Sequence, residues 1–142
     1  MSQVLRFPAE WEPQSAVLLA WPHEGTDWAD RLAQVEQTYV GLVAAITRFQ
    51  PALVCVAGPA LRERAAAQLG SAGVDMNRVR FFEVDYDDTW LRDSGPITLR
   101  EGPGFRLLDF HFTAWGGNFE AGRADQLVAK LHAAGLFGDA RH

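Results

Sequence analysis

Between residues 15 and 84, short apolar runs alternate with amphipathic stretches, and this alternation limits the chain to few architectures. "SAVLLAW" (15–21), "ALVCVAG" (52–58) and "RVRFFEV" (78–84) read as strands. Pro22 stops the first, and "HEGTDW" follows as a loop in which Thr26 or Asp27 is placed to cap a helix. From Trp28 the period changes. Trp28, Leu32, Val35, Tyr39, Leu42, Val43, Ile46 and Phe49 recur at three- and four-residue steps, which predicts a helix with one apolar stripe, ended by Pro51. Pro59 opens a shorter helix carrying Leu61, Ala65 and Leu69, with Gly70 as its C′ residue.

The remainder reads differently. "ITLR" (97–100) and "FRLLDFHF" (105–112) flank "EGPG" and predict a hairpin. "TAWGGNF" reads as a loop, and a last helix starts near Arg123 with Leu127, Val128, Leu131 and Leu136. The order strand, helix, strand, helix, strand, hairpin, helix is mixed α/β, without linker or repeat. No strand leads into GxGxxG or GxxxxGK[ST], which argues against nucleotide binding.

Composition narrows the partners. Apolar residues make up 48% of 142, enough for a real core. A net charge of −5 with scattered basic residues argues against nucleic acid. No apolar run approaches a membrane span, and the N-terminus lacks the pattern of a signal peptide, so a cytoplasmic location is expected. The single cysteine, Cys55, rules out an internal disulfide, and "ALVCVAG" makes it a buried, inert strand residue.

The charge that matters is concentrated in "DDTWLRDSGP" (87–96). It follows an apolar strand, where α/β folds place their sites, and Gly95-Pro96 turns the chain. Asp87, Asp88 and Asp93 repel one another unless a cation is near. Arg92 can pair with one, leaving another for a ligand. A carboxylate beside Trp90 suits a guanidinium, whose forked N–H groups fit the anion and whose face stacks on indole. A solvated acidic loop with a local ion pair is the plainer reading of the same residues. A metal is not expected: Asp85, Asp87 and Asp88 lack the spacing of a calcium loop, and no histidine lies close in sequence.

"FPAEWEPQSAVLLAWPH" (7–23), "DDTWLRDSGP" (87–96) and "FTAWGGNF" (112–119) together resemble the agmatine deiminase / bacterial-type peptidylarginine deiminase family of the guanidine-modifying superfamily. The resemblance implies a pentein fold, an α/β propeller of five ββαβ-type units, of which about two would be present here. It implies that residues 1–142 are the N-terminal portion of one deiminase domain. It implies cofactor-free hydrolysis of a guanidinium: agmatine to N-carbamoylputrescine and ammonia, as in putrescine biosynthesis, or arginine in peptides to citrulline. Asp93 would be the anion that holds the guanidinium, facing an indole. Trp90 and Trp115 would line its pocket, Arg92 would pair structurally with an acid, and Trp11 and Trp21 would serve packing and loop placement.

The family's nucleophilic Cys and its His motif have no counterpart here. His23, read as an exposed loop residue, His111 on the hairpin, His132 on the last helix and His142 do not match it. A piece of a propeller exposes sheet edges, so low stability, self-association into a homo-oligomer and no turnover are expected of it alone. A non-catalytic module gripping a cation or a sugar through Asp93, Trp90 and Trp115 is the alternative, as is an inactive truncated fragment.

Overall fold

The structure is a computed structural model and describes residues 4–142. The chain forms two compact units, one of residues 14–91 and one of residues 4–13 with 92–142.

In the unit of residues 14–91, β2 (Val17–Ala20), β3 (Ala52–Val56) and β4 (Val79–Glu83) form a parallel sheet in the order β2-β3-β4. Val17 pairs with Ala52, and Ala52 with Val79. The central strand "ALVCV" is the most apolar and the most buried, as a parallel strand covered on both faces must be. The connections are α1 (Leu32–Thr47) and α2 (Pro59–Ser71), which pack on each other and on β3. Val43, Val54, Val56, Leu61, Ala65 and Leu69 form the core, with Trp21 fully buried among them.

Three expectations for this unit need correction. Gly70 lies inside α2. The helix ends in a Schellman motif centred three residues later: Val74 N–H donates to Leu69 C=O, Gly73 N–H donates to Gly70 C=O, and Gly73 takes φ +73°. Neither Thr26 nor Asp27 caps α1, which is entered through a 3-10 turn, Ala29–Arg31, without a side-chain cap. The Thr26 hydroxyl donates instead to His23 C=O at 2.7 Å. Two residues counted in the apolar stripe, Leu42 and Phe49, face solvent, while Val43 and Ile46 stay on the core.

The buried face of α1 also carries a carboxylate. The Glu36 carboxylate is buried and accepts from Trp21 Nε1 (3.1 Å), Arg64 Nε (2.9 Å) and Gln68 Nε2 (3.1 Å). It ties the end of β2 to α1 and α2.

In the other unit, β1 (Leu5–Arg6), β5 (Ile97–Glu101) and β6 (Gly104–Leu108) form an antiparallel sheet in the order β1-β5-β6. The hairpin is as expected: Glu101 pairs with Gly104 across the two-residue loop Gly102-Pro103, and Gly102 supplies the positive φ of +57°. β6 stops at Leu108, so His111 is not on a strand. β1 had no pattern of its own to announce it. A side-chain clamp secures it: Glu12 accepts from Arg6 Nη2 at 2.9 Å and from Ala9 N–H at 2.8 Å, and pairs with Arg100 Nε of β5 at 3.4 Å. Trp11, within the same clamp, is 89% exposed rather than packed. The last helix, α5 (Leu127–Ala133), follows a 3-10 turn, Ala124–Gln126. Leu136 lies beyond it as the apolar residue of a second Schellman motif: Leu136 N–H donates to Leu131 C=O, and Gly135 has φ +76°.

Candidate functional site

The acidic stretch begins where Tyr86 anchors it. Tyr86 is buried, and its hydroxyl donates to Trp21 C=O at 2.6 Å. Burial pushes its phenol far above the ordinary range. His23 packs on the Tyr86 ring, with centroids 5.1 Å apart, and its Nδ1 accepts from Gly25 N–H, so it is half-buried rather than exposed.

Asp88 is not left over for a ligand. Its Oδ2 accepts from Asp27 N–H at 2.9 Å, and its Oδ1 from Thr89 N–H at 2.7 Å. Asp27 and Asp88 stand 61 residues apart, but their loops leave the carboxyl ends of β2 and β4, the end of a parallel sheet where sites assemble. The Thr89 hydroxyl is a second tie. It accepts from Trp28 Nε1 at 2.8 Å and lies 3.4 Å from Asp88 Oδ1. Burial raises the Tyr39 phenol, Thr89 offsets part of the rise, and the Asp88 charge adds to it. The Trp28 and Trp90 rings then meet at 5.5 Å, tilted by 46°. Trp28 and Tyr39 were legible only as stripe residues, and Thr89 carried no signal of its own. The clue was positional: both loops follow parallel strands.

Past Trp90 the chain makes one helical turn, α3 (Leu91–Ser94), which the Gly95-Pro96 punctuation did not announce. Asp93 is its third residue and is exposed. Among the described residues its carboxylate has neither an ion pair nor a hydrogen bond. Arg92, expected to pair with an acid, has no ion-pair partner among the described residues either, and Asp88 is satisfied by backbone N–H groups. The anion at 93 is therefore not neutralised locally.

Trp115 sits in a different setting, in a single left-handed turn, α4 (Ala114–Gly117), within the stretch expected as a loop. Four successive residues have positive φ: Ala114 (+48°), Trp115 (+55°), Gly116 (+85°) and Gly117 (+83°). For Ala and Trp this handedness costs on the order of 1–2 kcal/mol each. The turn is held by Gly117 N–H donating to Thr113 C=O (2.7 Å), Gly116 N–H donating to Thr113 Oγ1, and Asn118 Nδ2 donating to Trp115 C=O. The half-exposed indole lies edge-on to Phe112 and Phe119, with centroids at 5.6 and 5.7 Å. His111 Nδ1 meets Asp125 at 2.9 Å nearby in sequence, and His142 Nε2 meets Asp109 at 2.9 Å.

Cys55 is fully buried on β3, and burial pushes its thiol up to about 12, so it is not a thiolate near neutral pH. Among the described residues no helix is long and apolar enough to cross a membrane.

This arrangement has counterparts. The family model for the Porphyromonas-type peptidyl-arginine deiminase matches residues 6–138. An agmatine deiminase of Pseudomonas aeruginosa is 35% identical over 133 residues, 89% of this chain and 34% of its own length. One of Stutzerimonas stutzeri is 36% identical over 111 residues, 78% of this chain and 28% of its own. The crystallised agmatine deiminase of C. jejuni with substrate bound superposes with a TM-score of 0.84 at 28% identity, covering 98% of this chain and 39% of that one. The chain thus spans about a third of the length of the curated relatives it matches. Its mixed α/β architecture is part of the pentein propeller of such enzymes.

Proposed function

Because the chain belongs to the Porphyromonas-type peptidyl-arginine deiminase family, we propose that it is the N-terminal portion of a deiminase domain and supplies that domain's grip on a guanidinium. The reaction is hydrolysis at the guanidinium carbon: a C–N bond breaks, ammonia leaves, and water's oxygen becomes the ureido oxygen. Agmatine is the preferred substrate, giving N-carbamoylputrescine. The curated relatives that are agmatine deiminases support this choice over arginine in peptides. A cytoplasmic, small-molecule enzyme fits the same reading.

One observation carries the proposal. Among the described residues Asp93 has no cation paired with it, and it follows by three residues an indole held against a second indole. An unpaired carboxylate attracts and orients a planar cation, and positioning of that kind is worth several kcal/mol of barrier. In this reading Trp90 and Trp115 are the aromatic residues that would line the cation's site. The chain's part is binding and orientation. Cys55, buried and with a thiol near 12, is not the nucleophile, so the attacking thiolate and the proton shuttle belong to other residues of the enzyme. The same buried thiol favours, as a second reading, a module that grips a cation without turning it over.

The test is ammonia release from agmatine, arginine and a peptidyl-arginine by the deiminase that carries this sequence, with and without Asp93→Asn. The proposal expects agmatine to be preferred and the variant to lose at least about 100-fold in kcat/KM, which corresponds to roughly 2.7 kcal/mol. Wild-type rates for the variant would remove Asp93 from the mechanism. Binding of agmatine without ammonia release would select the second reading.

A further inference from the structure

The geometry points to Thr89 as the residue that positions the Trp90 wall, acting through Trp28; we propose this role on the basis of the reading above, in which Trp90 faces the guanidinium. Trp90 is a broad, half-buried ring whose tilt must be fixed if it is to present a face to a flat cation. The ring it meets is Trp28, at 5.5 Å and 46°. The Trp28 ring has its own rotation removed by the 2.8 Å hydrogen bond from Nε1 to Thr89 Oγ1. Thr89 directly precedes Trp90 in the chain. One hydroxyl therefore couples the tilt of the supporting ring to the backbone that carries the supported one.

Thr89 cannot drift. Its N–H donates to Asp88 Oδ1, and Asp88 Oδ2 accepts from Asp27 N–H, the residue before Trp28. Two ties thus join consecutive residues, 27 to 88 and 28 to 89, like two rungs. The Asp88 rung sets the distance between the loops, and the Thr89 rung sets the ring. A nonpolar side chain of the same shape at 89 would fill the space yet leave the Trp28 N–H without its acceptor in a half-buried site.

Two indoles this close couple their electronic transitions, so the pair gives a far-ultraviolet circular dichroism couplet that reports ring tilt directly. The couplet is identified in the 142-residue chain as the signal lost in both Trp28→Phe and Trp90→Phe. The expected result is that Thr89→Val and Thr89→Ala lose most of it, while Thr89→Ser, which restores the hydroxyl, keeps it. Alanine decides if the valine variant fails to fold. The inference is overturned if a folded valine or alanine variant keeps the wild-type couplet, or if a folded serine variant loses it. A parallel titration with agmatine, followed by tryptophan fluorescence, is expected to show affinity weakened about 3- to 10-fold by Thr89→Val and restored by Thr89→Ser, in line with losing part of a cation–π contact. A wild-type chain that keeps its couplet but does not respond to agmatine would count against the guanidinium reading and leave the ring geometry standing. A valine variant that loses the couplet while binding agmatine as wild type does would overturn the positioning role.

Discussion

Replacing Glu36 by alanine is expected to cost the 14–91 unit about 2–6 kcal/mol, mostly from hydrogen-bond donors left without their acceptor. The figure is built from the partners left behind. Trp21 is fully buried, and its Nε1–H would lose its 3.1 Å acceptor, at about 1–3 kcal/mol. Arg64 contributes little, about 0–1 kcal/mol, because its side chain is 38% exposed and keeps Glu24 at 2.9 Å. Gln68 loses a charge-assisted bond at 3.1 Å, and the truncated side chain leaves a void, together about 1–2 kcal/mol. Glu36→Gln is a different perturbation. Its oxygen can still accept from Trp21 and Arg64, and Gln68 can turn its amide so that its buried Oε1, which lacks a partner, accepts from the new N–H. That variant should lose about 1 kcal/mol, the charge assistance alone. Urea denaturation followed by tryptophan fluorescence measures both, provided the slopes match wild type. If the alanine variant falls within about 1 kcal/mol of wild type, or the glutamine variant is as damaged as alanine, the network does not hold β2, α1 and α2 together as argued.

Two further outcomes are open to direct measurement. The Arg6 hydrogen bond, followed by the Ala9 N–H, holds the Glu12 carboxyl at about 2 against an ordinary 4.5. A depressed folded value contributes stability that is complete above about 4.5 and lost as pH falls towards about 2, so residues 5–12 should stay protected from amide exchange at pH 4 and open near pH 2; an NMR titration of Glu12 with its midpoint near 4.5 would contradict the clamp. Gly41 lies inside α1 with open space where a Cβ would stand, so Gly41→Ala should raise stability by about 0.5–1 kcal/mol in the same urea experiment, whereas Gly117→Ala, at φ +83°, should lower it.

The sequence made much of the frame legible and little of its fastening. β2, β3, β4 and the 97–108 hairpin were readable because apolar period and turn chemistry agree there, as at "EGPG". Gly70 and Gly73 show the limit: both are glycines after an apolar turn, and only the φ of +73° distinguishes the residue that ends the helix. Glu36 broke an apolar stripe without warning, because its partners come from two other segments, Trp21 after β2 and Arg64 and Gln68 on α2. β1 is two residues long and relies on Arg6 and Glu12 rather than on hydrophobic pattern. In the candidate site, Trp90 and Asp93 stood out by type. The 27–88 and 28–89 ties did not, because hydrogen bonds across 61 residues leave no periodicity. Backbone amides likewise take Asp88, an acid that residue type alone offers to Arg92.

The reversed winding at 114–117 has a consequence for how this segment can vary. Where four neighbouring residues coil against the preference of L-amino acids, the direction of the indole is inherited from main-chain chirality more than from any choice of rotamer. Glycine could replace Ala114 and relax the coil, but a β-branched residue anywhere in the four would push the chain back to the ordinary hand and swing the ring away from Phe112 and Phe119. The paired glycines thus act as a mould for the aromatic ring ahead of them, although neither carries a side chain to touch it.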